Sequence, residues 1–242
     1  MSKYGGMETL FVIMGHKTIR KFKNKPIPEA DVILMLEAGL RAPTSGLTMP
    51  YSIIRVEDEY LRNVLYEISG YQKQIIDAPL TLLFIVDGNR NVRIITSLDK
   101  KPLKNGLALF INGVINAAIA AQNIVVVAEA MGYGTCYIGA IQNDPIRIIR
   151  AFSLPKYTFP LFALVIGYPE ESPELKPRLP LNIIVHFNKY LKLSDDELKR
   201  GINIMEQHVP WLDIISKYFA ENGKFDRRGE VMYKALEMQG FI

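Results

Sequence analysis

The chain has 242 residues, 49% of them hydrophobic and 22% charged, which supplies enough apolar mass for a substantial core and excludes intrinsic disorder. Its 29 Lys and Arg against 25 Asp and Glu leave a net charge of only +4, so the chain as a whole is not a polycation and its basic character must act locally. One cysteine, Cys136, excludes an internal disulfide and a Cys-based zinc cluster, and with no signal-like leader at the start a cytoplasmic location is expected.

In chain order, Met7, Leu10, Phe11 and Met14 repeat at helical spacing and predict a first amphipathic helix. It runs into GHKTIRKFKNK (residues 15–25), with six basic side chains and no carboxylate in eleven residues. Pro28, followed by the stripe Val32, Met35, Leu36 and Leu40, predicts a second helix that ends in the APTSG loop at 42–46. Residues 51–56 read as a strand, Leu61, Val64, Leu65 and Ile68 as a helix face, and 80–86 as a strand buried on both sides.

Residues 107–131 are long and apolar enough to span a bilayer, yet Asn112, Asn116 and Asn123 share one side of the helical wheel, and Gln122 and Glu129 form a second polar line. That polarity predicts a core helix, Ala-rich where another helix comes close, and no membrane partner. Gly132 closes it. A segment CYIGAI (136–141), a helix capped by Asp144 with Pro145 at its first position, and a strand at 161–166 follow. Prolines 169, 173, 177 and 180 then predict an extended surface strap over 168–180. Ser194 with Glu197 spells a capping box, and helices are predicted from 195 onward, over roughly 211–222 and over 228–239.

Several familiar chemistries fail on spacing. GYGTCYIG (132–139) follows a helix, the reverse of the order a dinucleotide fingerprint needs, and Gly132 reads as a helix stop. His16, His186 and His208 lack zinc-ligand spacing, so no metal site is expected. No G-x-S-x-G elbow occurs, and Ser45 follows a helix, not a strand. Taken alone, the basic stretch is a solvated charged face, a nucleic-acid patch or one end of a phosphate site, and the first is the default. The strap changes that balance. In an extended segment alternate residues share a side, so Lys176 and Arg178 offer two cations together. Converging with His16 and Arg20, they would anchor a phosphate monoester through charge-assisted hydrogen bonds. Duplex DNA would call for a longer basic face and a docking helix, so no nucleic-acid partner is expected.

At this point several segments resemble the FMN-dependent nitroreductase family, in particular its larger NADPH-preferring oxygen-insensitive nitroreductase and flavin reductase branch. HKTIRKF (16–22) resembles H-R-S-I-R-x-F, APTSGLTMPYSIIRV (42–56) resembles A-P-S-S-x-N-x-Q-P-W, and GYQKQIIDAP (70–79) resembles G-x-Q-x-x-I-x-x-A-P. AQNIVVVAEAMGYGTCYIGAIQND (121–144), LFALVIGYPEESPELKPRLP (161–180) and His186 with Tyr190 are similar to the branch in order and spacing.

The resemblance implies an α+β nitroreductase-like fold, a mixed β-sheet flanked by helices with an extended strap and a helical C-terminal extension. It implies a single domain over 1–242, with a core of about 7–190 and the extension at about 191–242. It further implies a homodimer with one FMN per subunit at the interface, and ping-pong hydride transfer from NADPH or NADH through FMN to a nitroaromatic, quinone or flavin acceptor. Carried over, His16, Lys17, Thr18 and Arg20 hold the phosphate and ribityl end together with Lys176 and Arg178, and Gln72 meets the pyrimidine edge. Tyr137, Ile138 and Gly139 line the ring, while Thr44, Ser45 and Leu47 reach in from the other subunit. No side chain is singled out as a catalytic acid or base. Lys17 stands where the motif has Arg, and keeps the charge without the planar fork. Leu47 and Met49 stand where it has Asn and Gln, and that loss of polar groups motivates an alternative, a non-catalytic FMN-binding or sensing module.

Overall fold

The computed structural model describes residues 7–242. In chain order the helices are α1 Met7–Met14, α2 Glu29–Leu40, α3 Glu59–Ile68, α4 Gln74–Asp77, α5 Asn89–Ser97, α6 Leu107–Ala130, α7 Pro145–Ala151, α8 Leu181–Ile184, α9 Asp195–Glu206, α10 Trp211–Phe219 and α11 Lys224–Gln239. The strands are β1 Tyr51–Arg55, β2 Leu80–Asp87, β3 Gly134–Ile138 and β4 Thr158–Gly167. They form one sheet in the order β1-β2-β4-β3, with every neighbouring pair antiparallel. This is the α+β fold that the resemblance implied. Its mixed character reduces to a single parallel bridge, Thr18 to Thr135, contributed by the basic stretch.

The period-two alternation of β2 explains why it is apolar on both sides. Leu80, Leu82, Phe84 and Val86 face one core, which they share with Val32 and Met35 of α2 and with Ala117, Ala120, Ala121 and Ile124 of α6. Leu83 and Ile85 face a second core made with Val64, Leu65 and Ile68 of α3 and Ile148 of α7. Both faces are covered, and the one buried polar residue of β2, Thr81, is satisfied by Ile75 O at 3.3 Å and Arg62 Nη2 at 3.1 Å.

α6 is the one described helix long and apolar enough to cross a membrane, and it packs instead against the sheet and α2. Close approach sets its composition. A Cβ on Gly113 would lie 2.5 Å from Val86 Cγ1, and one on Gly39 of α2 would lie 2.8 Å from Ile124 Cδ1. Its buried Asn116 accepts from Ser45 N at 3.3 Å and donates to Asn112 O at 2.8 Å, while Asn123 donates to Ala38 O at 3.1 Å, so the asparagine line serves the neighbouring loop and helix. The helix then stops at Gly132, whose φ of +85° is one that glycine adopts without strain.

Two compact units divide the chain. The first holds the described residues up to Pro173 together with Glu230–Ile242, and the second is Glu174–Gly229. Within the second, the predicted capping box forms, with Ser194 N donating to Glu197 Oε2 at 2.8 Å and Glu197 N to Ser194 Oγ at 3.3 Å. The bond from Ser194 N, then one from Ser194 Oγ at 2.7 Å, hold the Glu197 carboxyl below the usual glutamate range. Residues 174–180 carry no helix or strand, as the prolines predict. Residues 87–106, for which no element was expected, contain α5.

Candidate functional site

The basic stretch leaves α1 at Met14 and lies extended against the sheet. Ile19 N donates to Thr135 O at 2.9 Å, Lys23 N donates to Tyr168 O at 2.9 Å, and Phe22 bridges to Pro169. Ile19 and Phe22 are the apolar anchors. Both are buried in the second core, each contributing about 1.5–3 kcal/mol by the area removed from water. Around these anchors Lys17 is half-buried, and Arg20 and Lys21 are exposed. Gly134 makes the fit possible: a Cβ there would lie 2.6 Å from Ile19 Cγ1.

A cleft of about 350 Å³ runs beside this stretch, lined among others by Gly15, Lys17, Ile19, Glu129, Gly134 and Glu171. Two carboxylates not singled out from the sequence organise it. Glu171 Oε1 accepts from Arg20 N at 2.6 Å and from Lys21 N at 3.1 Å, and these backbone bonds, Arg20's first, hold its carboxyl below the ordinary glutamate range. Glu129 Oε1 meets His16 Nδ1 at 2.8 Å and accepts from Thr135 Oγ1 at 2.7 Å. Glu129 had one visible signal: it is the only charged residue in the 24 residues of α6. Glu171 had none, since an acid in a polar strap is ordinary.

On the other side of β3, Cys136 and Ile138 point into the second core. Burial pushes the Cys136 thiol up, partly offset by the charge of Arg20 and a hydrogen bond with Gln74. Gln74 Nε2 in turn donates to Gln72 Oε1 at 2.8 Å, and Gln72 Nε2 to Ser69 O at 3.1 Å. Arg20, Cys136, Gln74 and Gln72 therefore form one connected neighbourhood. Gln74 is a member that the sequence did not mark. Tyr137 alternates to the α6 side, where its hydroxyl donates to Gln122 Oε1 at 3.4 Å; burial, then the Glu129 carboxylate, push its phenol above the ordinary range. Gly139 opens a short 3-10 turn, and a Cβ there would meet nothing within 4 Å.

Within the first unit, the 44–47 candidates lie apart from this neighbourhood. Ser45 and Leu47 form a 3-10 turn, tied to α6 through Asn116, with Thr44 Oγ1 accepting from Met49 N at 3.1 Å. Asn116 and Glu129 are thirteen residues apart, so about 20 Å of helix separates this loop from the His16 end. Lys176 and Arg178 belong to the second unit, where Arg178 Nη1 donates to the carbonyls of Lys176 and Pro177 at 3.1 and 3.0 Å.

The sequence model of the nitroreductase family matches residues 13–168. The chain belongs to the nitroreductase family. It is an oxidoreductase, as its curated relatives are. An NADPH-dependent oxidoreductase of Staphylococcus saprophyticus is 38% identical over 250 residues, covering 96% of each chain. Another, from Staphylococcus aureus strain MRSA252, is 34% identical over 94% of this chain and 88% of its own. Among solved nitroreductases and their kin, the NADPH:FMN oxidoreductase of Vibrio harveyi, complexed with NAD+, matches with a TM-score of 0.88 and 30% identity over 96% of this chain and 98% of its own. Nitroreductase A from Vibrio parahaemolyticus matches with a TM-score of 0.85 and 31% identity, over 96% and 97% of the two chains.

Proposed function

We propose that the protein is an FMN-dependent NADPH oxidoreductase that passes reducing equivalents to a nitroaromatic, quinone or flavin acceptor. The observation that carries this is the state of the donors on the pinned basic stretch. Among the described residues, the Lys17 ammonium, the Arg20 guanidinium and His16 Nε2 have no hydrogen-bond partner, although the backbone that presents them is fixed by bonds and two buried anchors. Cations held in place without partners fit a phosphate dianion. The family resemblance adds Lys176 and Arg178 to the donor set in this reading.

FMN, when bound, would supply the hydride acceptor and donor chemistry, and the named relatives' NADPH dependence makes NADPH the donor to test first. The chain's own part is positional. His16, Lys17, Thr18 and Arg20 hold the phosphate and ribityl end, Gln72, whose Oε1 is held by Gln74 Nε2 at 2.8 Å, meets the pyrimidine edge, and the backbone of Tyr137, Ile138 and Gly139 offers a wall to a flat ring.

A homodimer belongs to the same reading. The 44–49 loop is too far along α6 to reach a flavin held at the His16 end of its own chain, so it serves the other subunit's site. Exposed Leu10, Phe11, Ile13 and Met14 on α1, Ile111 and Ile115 on α6, and Leu47 supply the apolar surface such a contact would bury. In this reading the chain counts as one nitroreductase-like domain, with its core over about 7–190, and the dimer works in the cytoplasm.

The protein as purified should be yellow, absorbing near about 450 nm, and should bleach on anaerobic NADPH addition. Colour without bleaching would favour a flavin-binding module. A colourless protein that gains no flavin on incubation would end the proposal.

A further inference from the structure

Three elements meet at the Glu129 carboxylate: the basic stretch through His16, β3 through Thr135, and α6 itself. The side chains of Glu129 and His16 are only 13% and 30% exposed, so water competes poorly for the bond between them. A carboxylate accepts and does not donate, which places the shared proton of the 2.8 Å contact on His16 Nδ1. Thr135 Oγ1 donates to the same oxygen, and its carbonyl holds Ile19 N, so the carboxylate cannot turn away without breaking the register of the stretch. Nε2 is then the only ring nitrogen left, and no described residue bonds to it.

We propose that Glu129 is a positioning residue that fixes His16 as an Nδ1–H donor and so commits Nε2 to the flavin phosphate. The inference rests on the reading of the basic stretch as a phosphate site. With Nδ1–H held by the carboxylate, a proton taken up at Nε2 makes the ring a donor at both ends, one N–H to Glu129 and the other to a phosphate oxygen. That proton comes from water or from the phosphate monoester itself, whose second ionisation lies near about pH 6, so no further reactant is needed. Without the imidazole between them, the carboxylate and the phosphate would repel each other. The sign of the effect of removing the charge therefore separates this role from its rivals.

Affinities for FMN and for riboflavin, which lacks the phosphate, measured by flavin fluorescence quenching on flavin-stripped full-length protein, provide the test. Glu129→Gln should weaken FMN binding about tenfold, leave riboflavin within about twofold, and cause no further loss once His16→Asn is present, where removing the carboxylate only relieves repulsion. Tighter FMN binding in Glu129→Gln would show that the carboxylate only repels, and equal losses for both flavins would show that it only supports the fold; either result overturns the inference. Nitrogen-15 NMR of His16 in the unmodified protein needs no variant: Nδ1 must carry a proton, and a neutral ring protonated at Nε2 alone would also overturn it. If the unmodified protein binds FMN and riboflavin equally well, the phosphate reading itself fails, and this inference with it.

Discussion

Two segments that the family resemblance assigns to the flavin are built in opposite ways. The basic stretch is anchored inward: Ile19 and Phe22 are buried, its backbone bonds to β3 and to the start of the strap, and two carboxylates hold its His16 ring and its Arg20 and Lys21 amides. The 44–49 loop is presented outward. Leu47 is 78% exposed, and Gly46, Leu47 and Met49 have φ of +56°, +57° and +43°, a left-handed backbone that non-glycine residues adopt at a cost. One segment is tied down within its own chain, and the other stands exposed at a tightly turned tip. An electrostatic site gains from rigid donors, whereas a segment that closes over a partner's ligand gains from an exposed, tightly turned tip.

The comparison breaks most severely if the inward anchor is pried off. In Gly134→Ala the new methyl would sit 2.6 Å from Ile19 Cγ1 and 2.8 Å from its Cβ, atoms too near the backbone to swing aside. The stretch must lift or Ile19 must leave its pocket. Destabilisation by about 1–3 kcal/mol is expected, with a loss of FMN affinity larger than the loss of riboflavin affinity. Thermal melting and flavin titration read the two effects. Unchanged melting and unchanged FMN affinity would show that the β3 contact does not hold the stretch in place.

Much of this fold was legible in the residues because local chemistry settled it. The Asp144–Pro145 start appears as expected, with Asp144 Oδ1 accepting from Arg147 N at 3.0 Å, and β2 is buried on both faces as its apolar composition implies. α5 was not legible. It has no side-chain cap and no buried residue, and its fixing bonds are distant ones, Asn91 Nδ2 to Thr48 O at 2.8 Å and Asn89 Nδ2 to Lys156 O at 3.1 Å. The site divides in the same way. Cations announce themselves in a sequence, so His16, Lys17 and Arg20 stood out, whereas Glu129, Glu171 and Gln74 acquire a role only when the sheet brings β3, the strap and the basic stretch side by side.

A gentler change sharpens the outward half. The resemblance places Asn where this chain has Leu47, and the backbone supplies a reason unrelated to flavin contacts: asparagine tolerates the left-handed region far better than leucine. Leu47→Asn should therefore stabilise the protein by roughly 1 kcal/mol, seen as a higher melting temperature without flavin. If the loop completes the other subunit's site, the same change should also alter the steady-state preference among acceptors. Lower stability would mean that the exposed leucine is buried against a second copy, and that its apolar contact outweighs the backbone strain.

The smallest effect is expected at Cys136 on β3. Its thiol is buried, burial pushes its ionisation up, and Arg20's charge only partly reverses that shift. A thiol held in its neutral form at neutral pH is a poor nucleophile and a poor electron donor. Cys136→Ala should then leave flavin reduction by NADPH within about twofold, and thiol reagents should modify the folded protein slowly, because the thiolate is the reactive form. A collapse of the reduction rate in the variant, with FMN affinity preserved, would place the sulfur in the redox step and would mean that the wall of β3 does more than carry backbone past a ring.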